Sequence, residues 1–151
     1  MMFFLKKKLK TTYADSRGNI EDLSRSELAL LPRSKVDFES IEPLKKMYHQ
    51  DVLPLLPFLI VWMQDLNWPI SKPMGEFLST FGKDIIPEIK WIFEGNDDLW
   101  KLGCMCGILY ELSDETIKPL VPFLERFAEN PTDEEIKNDI HTVAKERLER
   151  F

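Results

Sequence analysis

The feature that most restricts what this chain can fold into is a proline-spaced apolar phrase that occurs three times. Pro54-Leu55-Leu56-Pro57-Phe58-Leu59 returns as Pro119-Leu120-Val121-Pro122-Phe123-Leu124, and more loosely as Asp84-Ile85-Ile86-Pro87-Glu88-Ile89. The second prolines stand at 57, 87 and 122, so they are 30 and 35 residues apart. An aromatic follows each by four or five positions: Trp62, Trp91 and Phe127. The first two copies also share a second half, Asp65-Leu66-Asn67-Trp68 against Asp97-Asp98-Leu99-Trp100. A period of that length with two helical segments per unit predicts stacked helical hairpins, each covering the apolar face its neighbour leaves open.

The prolines fit this reading. In the first turn of a helix the missing N–H costs nothing, which suits Pro54 with Asp51 as the cap. Pro57 lies deeper and predicts either a kink or the point where the regular part of that helix begins. Phe58 to Met63 is apolar nearly all round, so it should be central and covered on more than one side. Periodicity then predicts further helices: a stripe of Phe38, Ile41, Leu44, Lys45 and Tyr48; Pro69 or Ser71 to Phe81, stopped by Gly82; Ile85 to Phe93, ended by Gly95-Asn96. Asp98 to Leu112 follows, with Leu99, Leu102, Cys106, Leu109 and Tyr110 facing inward. Glu115 to Ala128 comes next. Asp133 to Arg150 closes the chain with an inner stripe of Ile136, Ile140, Val143, Ala144 and Leu148. Thr132 and Glu135 form a capping-box pattern at its start. The core is expected to hold Leu55, Phe58, Leu59, Trp62, Phe77, Ile89, Trp91, Leu109, Phe123 and Phe127.

Charge narrows the partners. Residues 1–37 carry eight basic and five acidic side chains, +3; residues 38–151 carry twelve and twenty-one, −9. A body this acidic repels a phosphate backbone unless a basic face is segregated on it, so a basic protein is the easier partner. Cys104 and Cys106 are two apart and point to different sides of a helix, where they cannot bridge. Free thiols suit a reducing cytoplasm. The start, Met1 to Lys8, places its charges after a short apolar run and lacks the order of a signal peptide. The longest apolar run, Val52 to Met63, is too short to cross a bilayer. The expectation is a soluble cytoplasmic protein. Residues 1–30 read as an N-terminal extension with a basic tip, a turn at Asp15 to Asn19, and a short helix from Ser26 stopped by Pro32; residues 31–151 form the repeat domain.

Three blocks resemble a known family: Leu31-Pro32-Arg33-Ser34-Lys35-Val36-Asp37, Trp62-Met63-Gln64-Asp65-Leu66-Asn67-Trp68-Pro69-Ile70, and Asn96-Asp97-Asp98-Leu99-Trp100-Lys101. Together, from Leu31 onward, they are similar to the bacterial domain of unknown function 5071. The resemblance implies an all-α fold, a short HEAT-like α–α superhelix. It brings no activity and no functional residues.

The polar–aromatic turns are the candidate binding residues: Asp65, Asn67 and Trp68 from one unit, Asp97, Trp100 and Lys101 from the next. Aligned turns of successive repeats form a ridge, and tryptophan is favoured at binding hot spots. The competing reading has Asp65, Asn67 and Asp97 bonding to backbone groups at turns and caps. No phosphate loop, His-Glu-x-x-His, Gly-x-Ser-x-Gly or dinucleotide fingerprint occurs. Cys104-Met105-Cys106 lacks a second ligand pair, and His49 and His141 are single and distant. Neither a metal nor another cofactor is expected, and no catalytic residue. The leading expectation is a non-enzymatic protein-interaction module, an adaptor or an immunity-type protein that binds a basic partner. The alternative is a HEAT-like protein acting on nucleic acid, such as a DNA-alkyl-base glycosylase.

Overall fold

A computed structural model describes residues 2–151, with side chains from Lys6 onward. The described residues are all-α, with no strand among them. The helices are α1 (Met2–Thr12), α2 (Arg25–Leu30), α3 (Ile41–Lys45), α4 (His49–Val52), α5 (Leu56–Leu59), α6 (Ser71–Ser79), α7 (Ile86–Phe93), α8 (Asp98–Gly107), α9 (Asp114–Ile117), α10 (Val121–Glu129), α11 (Asp133–Lys137) and α12 (Ile140–Glu149). Short 3₁₀ turns join many of them.

The repeated phrase has one local structure. Its first proline sits in a 3₁₀ turn, Leu53–Leu55 or Lys118–Leu120, and its second at the start of the α-helix that follows, α5 or α10. The looser copy does the same without the first proline: Gly82–Ile85 is 3₁₀ and Pro87 opens α7. Each proline occupies a first turn, where no N–H is required. Pro57 therefore begins a helix rather than kinking one. Asp51 does not cap the turn that holds Pro54; that position is Val52, and Asp51 lies within α4.

Each proline-led segment, or its direct continuation, packs on a helix that follows it: Ile60–Met63 on α6, α7 on α8, and α10 past α11 on α12. The following helices also pack in series, α6 on α8 and α8 on α12, with α3 beside α6. The proline-led segments meet in the same order, α7 against Lys118–Leu120 and α9 against Gly82–Ile85. Leu55, Phe58, Leu59, Trp62, Phe77, Ile89, Leu109 and Phe127 are buried as expected. Phe123 is only partly covered, and Trp91 keeps 39 % of its surface exposed.

Two inner stripes differ from the sequence expectation. On α8 the buried residues are Trp100, Lys101, Gly103, Cys104 and Met105, whereas Leu99 is 52 % exposed and Cys106 and Tyr110 face out. The cause is close approach of backbones. A Cβ on Gly103 would overlap the Met63 carbonyl, and one on Gly75 would press on the Gly107 carbonyl. Small residues mark the contact face of this helix, so counting leucines put the stripe on the wrong side. The last helix is broken. Asp139 takes a left-handed conformation, φ 63°, and Asn138 Nδ2 donates to the Glu134 carbonyl at 3.0 Å, ending α11. The phase turns there, which leaves Ile136 exposed while Ile140 and Ala144 are buried.

The segment ahead of residue 31 packs into the same core. Leu9, Tyr13, Ile20 and Leu28 are buried in it. The Trp62 indole donates to Tyr13 Oη at 3.0 Å, and Tyr13 Oη donates to the Pro32 carbonyl at 2.6 Å. Burial raises the Tyr13 phenol far above its ordinary range. Arg17 grips the buried Glu88 of α7 with both edges of its fork, Nε to Oε2 at 3.1 Å and Nη2 to Oε1. The basic tip is tied as well: Lys6 and Lys10 both reach Glu21, at 2.6 and 2.5 Å.

Candidate functional site

The six sequence-derived residues fall into three places. Asp65 Oδ1 accepts the Asn67 N–H at 2.8 Å, and the Asp65 carbonyl accepts the Trp68 N–H at 3.1 Å, a closed turn. Trp68 is half-buried, its ring edge-on to Trp62 at 5.9 Å. Asp97 caps α8, Oδ1 accepting the Trp100 N–H at 3.1 Å. Trp100 is 4 % exposed; its indole donates to the Ile60 carbonyl at 2.9 Å and its ring meets Trp91 edge-on at 5.8 Å. Lys101 is 3 % exposed, paired with Asp98 at 3.2 Å and set over the Phe127 ring at 5.4 Å. Asp65, Asn67 and Trp68 are not among the residues lining the cleft that holds Asp97 and Trp100.

That cleft is built by the turn between α7 and α8. Gly95 and Asn96 end α7, Asp97 starts α8 at once, and the rings at the two helix ends are left facing each other. The hollow is about 520 Å³, lined by Asp15, Trp91, Ile92, Glu94, Gly95, Asn96, Asp97 and Trp100. Its lining carries three carboxylates and no lysine or arginine. Trp91 stays 39 % exposed, next to the exposed Lys90 on the outer side of α7. Asp15 is brought in by the N-terminal segment, where Gln64 Nε2 donates to its Oδ2 at 3.3 Å. Among the described residues' hydrogen bonds and ion pairs, Asp15 Oδ1, Asp97 Oδ2 and both Glu94 oxygens have no partner.

On the other flank of the same turn lies a second hollow of about 540 Å³, which includes Lys101, Phe123, Arg126 and Glu135. It shares Glu94, Gly95 and Asn96 with the first, and of its charges only Glu94 is without a partner among the described residues. Arg126 holds the buried Glu135 from both oxygens, at 3.0 and 3.1 Å, and lies over Phe127 at 4.6 Å. Burial on its own would raise the Glu135 carboxyl. The Arg126 hydrogen bonds and charge, with Lys101 and the Thr132 N–H, outweigh it and hold the group below its usual range. Thr132 and Glu135 complete the capping box expected from their spacing.

Sequence reasoning missed Asp15, Trp91 and Glu94 as site residues. Trp91 was placed in the core by its position after Pro87. The available signal was Gly95-Asn96, a tight turn with an aromatic four or five residues to either side. Among the described residues no three His, Cys, Asp or Glu side chains are grouped to hold a metal ion, and no helix is long and apolar enough to cross a membrane.

The described residues form an all-α fold with an acidic, aromatic hollow on the turn between α7 and α8. A family model described as Domain of unknown function (DUF5071) matches residues 30–148. The chain belongs to that family. No curated protein matches the chain.

Proposed function

We propose that this chain is a protein-interaction module that receives a lysine or arginine side chain of a basic partner in the cleft beside the α7–α8 turn. The observation that carries the reading is the lining itself: Asp15, Glu94 and Asp97 around the partly exposed Trp91, with no cation among them. A partner's ammonium or guanidinium over an indole contributes ~0.5–2 kcal/mol. The three carboxylates add attraction at a distance and speed encounter. Phosphate backbones would meet the same carboxylates with repulsion, which weighs against the nucleic-acid reading. An adaptor and an immunity-type protein masking a basic toxin are both forms of this proposal.

The test is titration of the full chain with a lysine-rich decapeptide, read by tryptophan fluorescence at low and moderate salt. Saturable change that weakens with salt and is lost in Glu94→Lys supports the reading. An equal response to a glutamate-rich decapeptide, or an unchanged response in Glu94→Lys, overturns it.

A further inference from the structure

At the opposite end of α8 from the acidic cleft, a separate hollow of about 440 Å³ opens between α8 and α12. Met105, Tyr110 and Val143 give it a mostly apolar wall, and Cys106 places an exposed thiol on it. Arg147 also lines it and is only 6 % exposed. One corner of its guanidinium is spent: Nη2 donates to Asp114 Oδ1 at 2.9 Å and toward the Leu112 carbonyl at 3.4 Å. The other two nitrogens, Nε and Nη1, are shut off from bulk water and have no acceptor among the described residues. A charged donor left in that condition is costly, so the fold has a reason to accept an oxygen there. At the rim, the Arg150 guanidinium lies 4.3 Å over the Tyr110 ring.

We propose that this hollow binds a small apolar carboxylic acid, its chain against Met105 and Val143 and its carboxylate on the free donors of Arg147, with Arg150 as second cation. Nε and Nη1 are closed off from the hollow as it stands, so binding requires the Arg150 side chain to lift from Tyr110 and the Arg147 fork to turn toward the guest. The volume lies in the range of small-molecule sites. Among the lining residues two guanidiniums oppose one carboxylate, Glu146. Asp114 already occupies part of Arg147, so the specificity comes from the unmatched N–H groups rather than from a large positive field.

Cys106 supplies the readout. Burial and the Glu146 charge push its thiol above the ordinary value, and Cys104 is fully buried. The full chain is treated with a chromogenic disulfide reagent in the presence of octanoate, octan-1-ol or inorganic phosphate, and Cys106→Ser assigns the reacting thiol. Octanoate should slow modification of Cys106 saturably, at concentrations about tenfold below those octanol needs, and phosphate should have no effect. Arg150→Gln, a change at an exposed position, should raise the octanoate required by about tenfold. Arg147→Gln should abolish the difference between octanoate and octanol; if that variant does not fold, Arg150→Gln decides. No protection, equal protection by octanol, or protection by phosphate overturns the proposal. So does an Arg150→Gln variant as sensitive to octanoate as the parent.

Discussion

Asp65 to Trp68 and Asp97 to Trp100 each set an aspartate three residues ahead of a tryptophan, and they do different things. After Asp65 the carboxylate bonds the second following N–H, which folds the chain into a tight turn. Pro69 follows, and the next helix waits until Ser71. After Asp97 the carboxylate bonds the third following N–H, so the helix starts immediately and carries Trp100 inward onto the Ile60 carbonyl. The first turn closes on itself. The second leaves a neighbouring ring, Trp91, uncovered among carboxylates. The lesson is that the echo encodes a joint between helices, and the open surface comes from what surrounds one copy of the joint.

This contrast can be broken at several strengths. Trp100→Ala should cost about 3–5 kcal/mol in urea unfolding, because it empties a buried site and leaves a carbonyl without its donor. Trp68→Ala should cost only about 1–2 kcal/mol, since that ring is half-covered. Equal costs would dissolve the distinction. Gly103→Ala, at the crossing of α8 over Met63, should lose about 2–3 kcal/mol by forcing two backbones apart, whereas Gly95→Ala, whose Cβ would meet its nearest neighbour at 3.3 Å, should lose far less. Asp97→Ala should cost about 1 kcal/mol as a lost helix cap, more than Asp65→Ala at its turn, both read by thermal melting.

The smallest effect is linked to pH. The Glu135 carboxyl titrates below its unfolded value, so its contribution is present above about pH 4.3 and fades as pH falls through the lower folded value. Glu135→Gln should therefore destabilise by about 0.5 kcal/mol at pH 7, modest because Arg126 is partly solvated, and the gap to the parent should close toward pH 3. A gap that widens on acidification contradicts this sign.

What was legible in the sequence follows from how locally each feature is determined. The proline phrase, the Asp97 cap and the Thr132–Glu135 box depend on neighbours within four residues, and all are visible in the chain. The face of α8 depends on how near Met63 comes, a long-range fact announced only by Gly103 and Gly107. Lys101 looked like a surface charge because lysine usually is one, yet Asp98 and the Phe127 ring satisfy it in the interior. Arg147 stands among charged residues near the end of the chain, where sequence predicts a solvated face, and is buried against α9. Asp15 could not be placed near Trp91 from sequence at all, because 76 residues separate them and the Tyr13–Trp62 and Arg17–Glu88 contacts that carry it there are tertiary. Trp91 shares the period of Trp62 but not its cover: Tyr13 and Trp68 pack on Trp62.

The central claim is that the second joint faces a basic partner and the first does not. The four indole N–H signals and the backbone amides of Gly95, Asn96 and Asn67 report on both in one experiment. Titrating isotope-labelled protein with the lysine-rich decapeptide should move the Trp91 indole and the Gly95 and Asn96 amides, and leave Trp68 and Asn67 in place. Movement centred on Trp68 and Asn67, or none at saturating peptide, would contradict the account.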